Sequence, residues 1–331
     1  MPLHALAAST LTVSLALSLS TCAGKPKYPP GPPPPPGPTT GPVQPGQPGD
    51  LGPCPMFPPD NPWNQDISKA PVDPNSDRYM AAMNADTKTL HPDFGSSYRY
   101  GIPWFAVTPA MPRLEMKFKY DEESDPGPYP FPPDAPVEGG SDADGDRHVI
   151  GVDRKGCKLY EGFNCWYEPP HWSCESGAIF DLRSNTPRPA GWTSADAAGL
   201  PVFPGLVRRE EVLRGEIKHA LRFTVRKTQR AYVAPATHFA SPHRDPNLPP
   251  LGIRVRLKAD YDISRFSGAP QVILKALKKY GMFLADNGAD WFISGESNPA
   301  WDDDELRALK KVPASAFEVI KHGEIQREAK R

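Results

Sequence analysis

Short runs in which apolar and polar residues alternate recur along most of the chain after residue 110. In Arg113–Tyr120 the alternation gives one apolar and one charged face, which is typical of a β-strand with one face in water. The same pattern recurs in segments 148–153, 158–161, 178–183, 217–225, 253–258, 283–286, 290–294 and 317–320. Many short strands between proline- and glycine-rich turns predict a mainly β fold, specifically an antiparallel β-sandwich of the jelly-roll type with a few short helices.

Turn and capping residues predict how these strands are joined. Lys155-Gly156 and Asn287-Gly288 each separate two predicted strands, and Asn-Gly is a strong signal for a β-hairpin. Helices are expected to be few and short. Capping residues, a first-turn proline and closing glycines predict them near residues 75–84, 193–199, 271–280 and 302–311.

The amino-terminal segment differs from the rest in composition. An apolar run over residues 6–19 is shorter than the ~20 residues that a membrane-spanning helix needs, and it ends in Leu19-Ser20-Thr21-Cys22, a sequence close to a bacterial lipobox. We therefore predict a signal peptide over residues 1–22, with Cys22 as the site of lipidation. The alternative is cleavage after Ala23, which would release a soluble protein.

A proline- and glycine-rich segment over residues 23–53 follows the predicted signal peptide. This composition favours extended polyproline II, so the segment predicts a stiff linker to a single β-rich globular domain over residues 54–331. The formal net charge of -1 on 331 residues gives no reason to expect nucleic acid as a partner. We expect a cell-envelope lipoprotein or a secreted protein, which contacts the membrane only through its lipid anchor.

The chain contains five cysteines, and lipidation of Cys22 would leave four. An even number in an exported chain favours disulfides, and four cysteines allow three pairings. Cys165 with Cys174 would close a short local loop, and Cys54 with Cys157 would join the start of the domain to a central strand. We favour that pairing. Zinc binding is the alternative, although the sequence contains neither a C-x-x-C nor an H-x-x-x-H pair.

Several strings in the domain resemble segments of a family of secreted bacterial proteins. They are CPMFPPDNPWN from Cys54, DEESDPGPYP from Asp121, GDRHV from Gly145, GAIFDLRSN from Gly177, RPAGWTSADAAG from Arg188 and ADNG from Ala285. The resemblance extends from about Cys54 to Val319 and implies a secreted single-domain body. The family has no established activity, so the resemblance implies no catalytic residues.

Basic side chains are concentrated on the strand faces that the alternation places outside. They are Arg183, Arg222, Arg254, Arg256 and Lys258. Arginine binds planar carboxylates with two parallel hydrogen bonds, so a face of this kind predicts binding of a carboxylated or sulfated glycan. An ordinary solvated sheet face is the alternative. Trp192 and His238, which fall near predicted loops, are further candidates for substrate binding.

Three residues near strand ends are candidates for catalysis. His148 and His219 fall on the apolar sides of their predicted strands, where partial burial can tune a general acid or base. Asp181 projects from the opposite face of its strand, beside Arg183, and glycoside hydrolysis needs two carboxylates. Further candidate carboxylates near strand ends or loops are Glu138, Asp146, Asp196 and Glu216. The alternatives are hydrogen-bonded core histidines and a simple Asp181–Arg183 ion pair.

A structural calcium ion is the one cofactor that the sequence brings into consideration. Asp142, Asp144 and Asp146 alternate in a glycine-rich loop, as the ligands of a calcium-binding loop do. Arg147 stands where an EF-hand has glycine, so a solvated acidic turn is the alternative, and no other cofactor is expected.

These features predict an exported protein that acts on or binds extracellular polysaccharide or cell-envelope glycan. A hydrolase or lyase that uses a cleft of carboxylates and histidines is one interpretation. A non-enzymatic binding or structural module of the cell envelope is the other, and the same fold would serve both.

Overall fold

The computed structural model of the protein describes residues 54–327. The predicted signal peptide, the lipidation site Cys22 and the linker over residues 23–53 lie outside these residues and stay predictions. Within the described range, no helix combines the length and the apolar character that crossing a membrane requires.

Among the regular elements of the described chain, short β-strands outnumber helices, as the alternation predicted. The strands are β1 (His91–Pro92), β2 (Phe105–Ala106), β3 (Met116–Phe118), β4 (Val149–Asp153), β5 (Lys158–Phe163), β6 (Trp166–Glu168), β7 (His171–Cys174), β8 (Ser176–Asp181), β9 (Leu221–Val225), β10 (Arg254–Leu257), β11 (Met282–Asn287), β12 (Phe292–Ile293) and β13 (Phe317–Val319). The α-helices are α1 (Ser76–Ala82), α2 (Arg209–Leu213), α3 (Gly268–Lys279) and α4 (Asp303–Leu306). Short 3-10 helices lie at Pro62–Asn64, Asp121–Glu123, Phe203–Gly205, Arg307–Lys311 and Ala314–Ala316. The expectation of a mainly β fold is therefore confirmed.

The strands form three sheets whose spatial order differs from their order in the chain. The largest has the order β1-β12-β9-β11-β10-β13, the second β2-β4-β5-β8 and the third β3-β7-β6. The parallel pairs are β1 with β12, β9 with β11, β2 with β4 and β3 with β7. The sheets are mixed, so the expectation of a purely antiparallel arrangement is wrong.

The alternation located the strands but not all of their partners. The hairpin expected around Lys155-Gly156 is present, because β4 and β5 pair antiparallel. The hairpin expected around Asn287-Gly288 does not form, because β9 lies between β11 and β12 and pairs with both. The Gly288 N–H donates to the Val225 carbonyl oxygen (3.0 Å), so this turn crosses the end of a third strand.

Three of the four expected helices are present. They are α1, α3 and α4, whose bounds differ from the expected ones by a few residues. Asp302 caps α4 with its side chain, as its sequence spacing predicts. Residues 193–199 form no helix. There the Ser194 hydroxyl donates to the Leu200 carbonyl oxygen (2.5 Å) and accepts the Asp196 N–H (2.8 Å), which closes a tight loop. This loop fixes the position of Asp196.

A hydrophobic core joins the two larger sheets. Ile150 and Leu159 from the four-stranded sheet belong to the same cluster of buried side chains as Phe223 and Val255 from the six-stranded sheet. Burial of apolar area on this scale is the main favourable term in folding. A shared core between two sheets is the contact that a sandwich makes, and it brings the start of β4 close to β9 and β11.

Both expected disulfides are present. Cys54–Cys157 joins the first described residue to the turn between β4 and β5, and Cys165–Cys174 closes a local loop around β6. The two cysteines of the Cys54–Cys157 disulfide are separated by 103 residues, against nine for Cys165–Cys174. A disulfide that closes a longer loop removes more conformational entropy from the unfolded chain, so Cys54–Cys157 is expected to stabilise the fold more. Disulfides are typical of proteins outside the cytosol.

Candidate functional site

A cluster of charged side chains lies where the start of β4 approaches β9 and β11. The His148 side chain, directly before β4, is 4% exposed, and its Nδ1 lies 2.6 Å from Glu138 Oε2. Its Nε2 lies 2.9 Å from the Ala195 carbonyl oxygen, which can only accept a hydrogen bond, so Nε2 carries a proton. The His148 backbone N–H also donates to Glu138 Oε2 (3.3 Å). His148 therefore fixes the position of the Glu138 carboxylate.

Burial opposes the charges of this pair, but their mutual attraction and their hydrogen bonds together outweigh it. Burial alone would lower the pKa of His148, whereas the Glu138 carboxylate raises it to about 9. Burial alone would likewise raise the pKa of Glu138, and the charge and hydrogen bonds of His148 hold that pKa below its ordinary value. At neutral pH the pair is an imidazolium and a carboxylate.

Arg222 on β9 and Asp196 form a buried ion pair next to this first pair. The Asp196 side chain has no exposed surface, and Arg222 Nε and Nη2 each donate to one of its oxygens at 3.0 Å. Arg222 Nη1 donates to Ser294 Oγ (2.6 Å). Burial alone would lower the pKa of Arg222, and the Asp196 carboxylate raises it instead. The guanidinium is therefore always charged, and all three of its nitrogens are engaged.

Asp286 joins the cluster through an irregularity in β11. The register between β9 and β11 shifts between Leu284 and Asp286, so Asp286 pairs with Thr224 and shares a sheet face with Arg222. Burial is the largest factor that raises the pKa of Asp286, and the charge of Asp196 is the next. Arg222 lowers this pKa, but the net result is a value of about 7. Asp286 thus holds its proton to a much higher pH than an ordinary aspartate.

Asp93 and Asp146 lie at the solvent edge of the same cluster. Asp93 directly follows β1, and its N–H donates to the Ile293 carbonyl oxygen (2.9 Å). Two causes raise the pKa of Asp93: the larger is its reduced contact with water, and the second is the charge of Glu138. The charge of Asp146 acts in the same direction on Asp93 and on Asp286. The carboxylates that face solvent here therefore repel one another.

An exposed aromatic ring lies beside the loop that carries Glu138. Tyr98 is 59% exposed, and its ring packs closely on Gly140. A Cβ atom added to Gly140 would lie 3.1 Å from the Tyr98 ring. Gly140 has a φ of +97°, which glycine adopts readily and other residues do not. Tyr100 follows in the same segment and is also 59% exposed. The cluster thus has an aromatic surface at its side.

A further carboxylate, Glu161 on β5, lies fully buried beneath the cluster. It accepts hydrogen bonds from the backbone N–H groups of Val202 (2.9 Å) and Phe203 (2.8 Å). Burial raises the pKa of Glu161 to about 7. Because Glu161 has no exposed surface, it cannot contact a ligand, and its role is to hold the backbone at residues 202–203.

The structure does not bring the three predicted catalytic residues together. Asp181 and His148 lie at opposite ends of the four-stranded sheet. Asp181, at the end of β8, is level with Asp153 at the end of β4, because both pair with Lys158 on β5. His148 precedes the start of β4, five residues before Asp153, which corresponds to roughly 16 Å along a β-strand. Asp181 forms ion pairs with Lys158 (3.0 Å) and Arg183 (3.8 Å) instead, as the alternative interpretation had it.

His219 belongs to a different buried cluster. Its Nε2 lies 2.9 Å from Arg208 Nη2 and 3.0 Å from Glu211 Oε2, and its Nδ1 lies 2.7 Å from the Ala220 carbonyl oxygen. The side chain is only 3% exposed. A ligand from solvent cannot reach this ring, so the geometry favours a hydrogen-bonded core histidine.

The basic sheet face expected from the alternation is not exposed. Arg222, Arg254 and Arg256 are buried, because β9 and β10 are internal strands and every residue of β10 is covered. The Arg254 guanidinium donates to three backbone carbonyls at 2.7, 2.8 and 2.9 Å. Arg183 lies at the surface, and Lys258, which directly follows β10, donates to the Ser315 carbonyl oxygen (2.9 Å). The expectation of a continuous glycan-binding arginine face is wrong.

Trp192 and His238 lie beside the loop that carries Asp196. His238 Nδ1 lies 2.8 Å from the Ala197 carbonyl oxygen. The Trp192 indole is half-buried, with the Arg188 guanidinium 5.5 Å from its ring centroid. Both side chains keep some exposure, so their predicted contact with an extended substrate stays a prediction.

The acidic loop before β4 is organised around an arginine. Arg147 Nη1 donates to the carbonyl oxygens of Gly140 (3.3 Å), Ser141 (3.1 Å) and Ala143 (2.8 Å), which are groups of the kind that calcium would use. Across residues 54–327, no group of three His, Cys, Asp or Glu side chains could hold a metal ion. The guanidinium thus supplies the positive charge that these carbonyls face. Calcium binding stays a prediction for Asp142, Asp144 and Asp146.

Three residues of the cluster, Asp93, Tyr98 and Asp286, were not singled out in the sequence. Asp286 lies in the string Ala-Asp-Asn-Gly, which was interpreted as a hairpin turn. Tyr98 lies in a loop between two glycines, and two tyrosines in so polar a loop are a signal for ligand contact. Nothing local marks Asp93.

The His148–Glu138 pair predicts that stability decreases at alkaline pH. The pKa of His148 is about 9 in the fold against an ordinary value of 6.5, so the stabilisation is complete below pH 6.5 and is lost as the pH rises through about 9. The shift corresponds to about 3 kcal/mol of unfolding free energy. We expect urea denaturation of the wild type to show this decrease between about pH 7 and pH 9.5. The part above about pH 8 reports on the His148–Glu138 pair alone, because Asp286 and Glu161, whose pKa values are about 7, have by then lost their protons.

His148→Gln should abolish most of this pH dependence, and Glu138→Gln should do the same. His171→Gln is the matched control, because His171 lies on β7 and its ring is 3.7 Å from the Glu168 carboxylate, a longer separation than the 2.6 Å between His148 and Glu138. A wild-type unfolding free energy that stays constant between about pH 7 and pH 9.5 would contradict the proposed coupling.

Comparisons of the chain with protein-family models, with curated proteins and with solved structures found no match. The resemblance of the domain to a family of secreted bacterial proteins therefore stays an expectation, and the function has to be inferred from the geometry of the cluster.

Proposed function

We propose that this protein is an exported hydrolase that cleaves glycosidic bonds in an extracellular polysaccharide. The supporting observation is a pair of carboxylates with opposite pKa shifts beside one guanidinium. The pKa of Glu138 is lowered through His148, the pKa of Asp286 is raised to about 7, and both charges act on Arg222. General acid–base catalysis by two carboxylates requires this division of roles.

In the proposed mechanism, Asp286 is the general acid. It donates its proton to the glycosidic oxygen while the bond from that oxygen to the anomeric carbon breaks. Glu138 takes a proton from water as the water oxygen bonds to the anomeric carbon, or it first forms a covalent intermediate that water then hydrolyses. Because both ring nitrogens of His148 are engaged, His148 is a positioning residue that acts through Glu138. Arg222 stabilises the Asp286 carboxylate that the proton transfer produces.

A hydrolase fits this cluster better than a lyase. Elimination from a uronic acid needs a positive group beside the sugar carboxylate, so that the developing negative charge is stabilised. The two cations of the cluster, His148 and Arg222, are already engaged by protein oxygens. The charged groups with which this part of the described chain faces solvent are mainly carboxylates, and the exposed cations Lys310 and Arg99 lie at its margin, beside Asp93 and Tyr98 respectively.

Export, lipidation at Cys22 and a jelly-roll arrangement of the sheets are parts of this proposal. The two disulfides favour an oxidising compartment, and the core shared by two sheets favours a sandwich. The alternative function, a non-enzymatic binding or structural module, requires no acid and base. It predicts glycan binding that is unaffected by Glu138→Gln and Asp286→Asn and is never followed by cleavage.

The test is incubation of the purified full-length protein with a panel of neutral, amino and acidic polysaccharides. Hydrolysis produces new reducing ends without ultraviolet-absorbing unsaturated products, whereas a lyase produces both. We expect reducing ends only, and with Asp286→Asn their formation should be slower by at least about 10²-fold. Absence of new reducing ends on every member of the panel would contradict the proposal.

Tyr98 provides a second test, because the apolar face of a sugar ring packs well on an exposed aromatic ring. Tyr98→Ala should raise KM about tenfold, which corresponds to ~1.4 kcal/mol of binding, and should change kcat little. Tyr120→Ala is the matched control, because Tyr120 is also an exposed tyrosine (46%) but lies next to the 3-10 helix at Asp121–Glu123. Equal effects of both substitutions on KM would argue against a sugar contact at Tyr98.

A further inference from the structure

Residues 138–148 form a loop that the His148–Glu138 pair closes at its base. The Glu138 N–H donates to the His148 carbonyl oxygen (3.0 Å), and the Glu138 carboxylate contacts both the ring and the N–H of His148. In the described structure, this stretch contains no helix and no strand. The position of the Glu138 carboxylate therefore depends on the contacts that hold the loop.

Arg147 fills the interior of this loop. It is 3% exposed, and its Nη1 donates to the carbonyl oxygens of Gly140, Ser141 and Ala143. The φ of Arg147 is +50°, in the left-handed region, which is unfavourable for a residue with a side chain and persists only where the surroundings enforce it. The backbone directly before His148 is therefore held in a strained conformation by its surroundings.

The segment around Cys165 holds Arg147 from the other side. Arg147 Nε donates to the Cys165 carbonyl oxygen (3.1 Å), and the Cys165 N–H donates to the Arg147 carbonyl oxygen (3.3 Å). The neighbouring Asn164 N–H donates to the Asp146 carbonyl oxygen (2.8 Å). The Arg147 guanidinium carbon lies 3.5 Å from the ring centroid of Trp166, which makes a cation–π contact. Three hydrogen bonds and one aromatic ring thus fasten the end of the loop to this segment.

The Cys165–Cys174 disulfide holds the segment against β5. Cys165 has no exposed surface, and Cys174 is 5% exposed. A Cβ atom added to Gly162 would lie 3.2 Å from Cys174 Sγ, so the disulfide packs directly on the backbone of β5. Gly162 pairs with Val149, the residue that follows His148. The disulfide therefore lies next to the point where the loop enters β4.

We propose that the Cys165–Cys174 disulfide holds Arg147 in place and that Arg147 positions the His148–Glu138 pair for catalysis. This inference rests on the proposed function and names what keeps its site assembled. Arg147 is a positioning residue, because its guanidinium contacts backbone carbonyls and the Trp166 ring rather than a reacting group. The two disulfides then have different roles, since Cys165–Cys174 maintains the site and Cys54–Cys157 maintains the fold.

Removal of each disulfide from the full-length protein tests this inference without requiring a substrate. In Cys165→Ser with Cys174→Ser, the pKa of His148, followed by imidazole nitrogen-15 NMR, should fall from about 9 to below about 8, because the Glu138 contact is loosened. The matched control is Cys54→Ser with Cys157→Ser. It should lose more unfolding free energy, because its loop is longer, and should leave the His148 pKa near 9. A His148 pKa near 9 in the first variant would overturn the inference.

Single substitutions keep the test open if a disulfide variant does not fold. Arg147→Gln should also lower the His148 pKa, whereas loss of the Arg147 charge alone would raise it, so the direction of the change separates positioning from electrostatics. Trp166→Ala should lower this pKa as well. Trp166→Phe should preserve it, because phenylalanine still presents a ring face to the guanidinium. A higher His148 pKa in Arg147→Gln, or an unchanged one in Trp166→Ala, would contradict the proposed role of Arg147.

Kinetics separate this inference from the proposed function. Cys165→Ser with Cys174→Ser should lower kcat for glycan cleavage at least about tenfold and change KM much less, because a displaced Glu138 carboxylate binds no worse but reacts poorly. Full cleavage activity in this variant would overturn the inference and leave the hydrolase intact. The expected changes in the His148 pKa, in a protein that cleaves no polysaccharide, would support the positioning of Glu138 and overturn the hydrolase.

Discussion

Asp286→Asn should lower kcat for glycan cleavage by about 10²–10⁴-fold, because an amide cannot give up a proton to the leaving oxygen. Glu138→Gln should cause a loss of similar size, because the amide can neither accept a proton from water nor attack the anomeric carbon. Both substitutions conserve shape, so KM should change much less than kcat. Initial rates of reducing-end formation measure the effect.

Asp181→Asn is the matched control for this pair. Asp181 is an aspartate on a neighbouring sheet, ion-paired with Lys158 and Arg183 at the surface. Its replacement should leave kcat and KM within about twofold of the wild type, and far-ultraviolet circular dichroism should confirm that all three variants are folded. A large loss in Asp181→Asn together with an active Asp286→Asn would show that catalysis occurs elsewhere.

Asp196→Asn should be the most destabilising of the conservative substitutions in the cluster. Removal of one partner from a buried ion pair leaves the Arg222 charge uncompensated, which costs about 3–5 kcal/mol. The amide can still accept one hydrogen bond, but it cannot balance the guanidinium charge. Urea denaturation near pH 7 measures the loss of unfolding free energy.

The double variant Asp196→Leu with Arg222→Met separates charge from packing. Because it removes both charges, it should be more stable than Asp196→Asn alone. The surface pair of Glu210 and Arg214 provides the control, since Glu210→Gln should cost no more than about 0.5 kcal/mol. Equal losses in Asp196→Asn and Glu210→Gln would contradict the description of Asp196–Arg222 as a buried pair.

Period-2 alternation was a reliable guide to the strands because it follows directly from the geometry of a β-strand. In β8 it assigned Ala178 and Phe180 to the core and Asp181 to the surface, as the structure has them. It failed in β10, where Arg254 and Arg256 alternate with apolar residues and yet are buried. Alternation distinguishes the two faces of a strand, but it does not tell whether the second face is covered by the rest of the protein.

The partners of the strands were less predictable than the strands themselves. Asn287-Gly288 has the local chemistry of a hairpin, yet β9 lies between the two flanking strands and adds two long-range pairings. Turn propensity acts over a few residues, whereas pairing depends on the packing of the whole sheet. The shift in register that places Asp286 beside Arg222 has the same origin.

The candidate site was predicted only in part. His148 was chosen because it falls on the apolar side of its predicted strand, and Glu138 and Asp196 were noted as carboxylates near strand ends or loops. The sequence could not show that Glu138 contacts His148, because the contact depends on how the acidic loop folds around Arg147. Long-range convergence of this kind leaves no periodic signal in the chain.

The protonation state of Asp286 can be measured without knowledge of the substrate. In a carboxyl carbon-13 NMR titration of the full-length protein, with Asp286→Asn to assign the resonance, this carboxyl should titrate with a pKa of about 7. Such a value would establish an acid that still holds a proton near neutral pH beside the ionised Glu138 carboxylate. Titration of Asp286 near its ordinary pKa of 3.8 would contradict its assignment as the general acid.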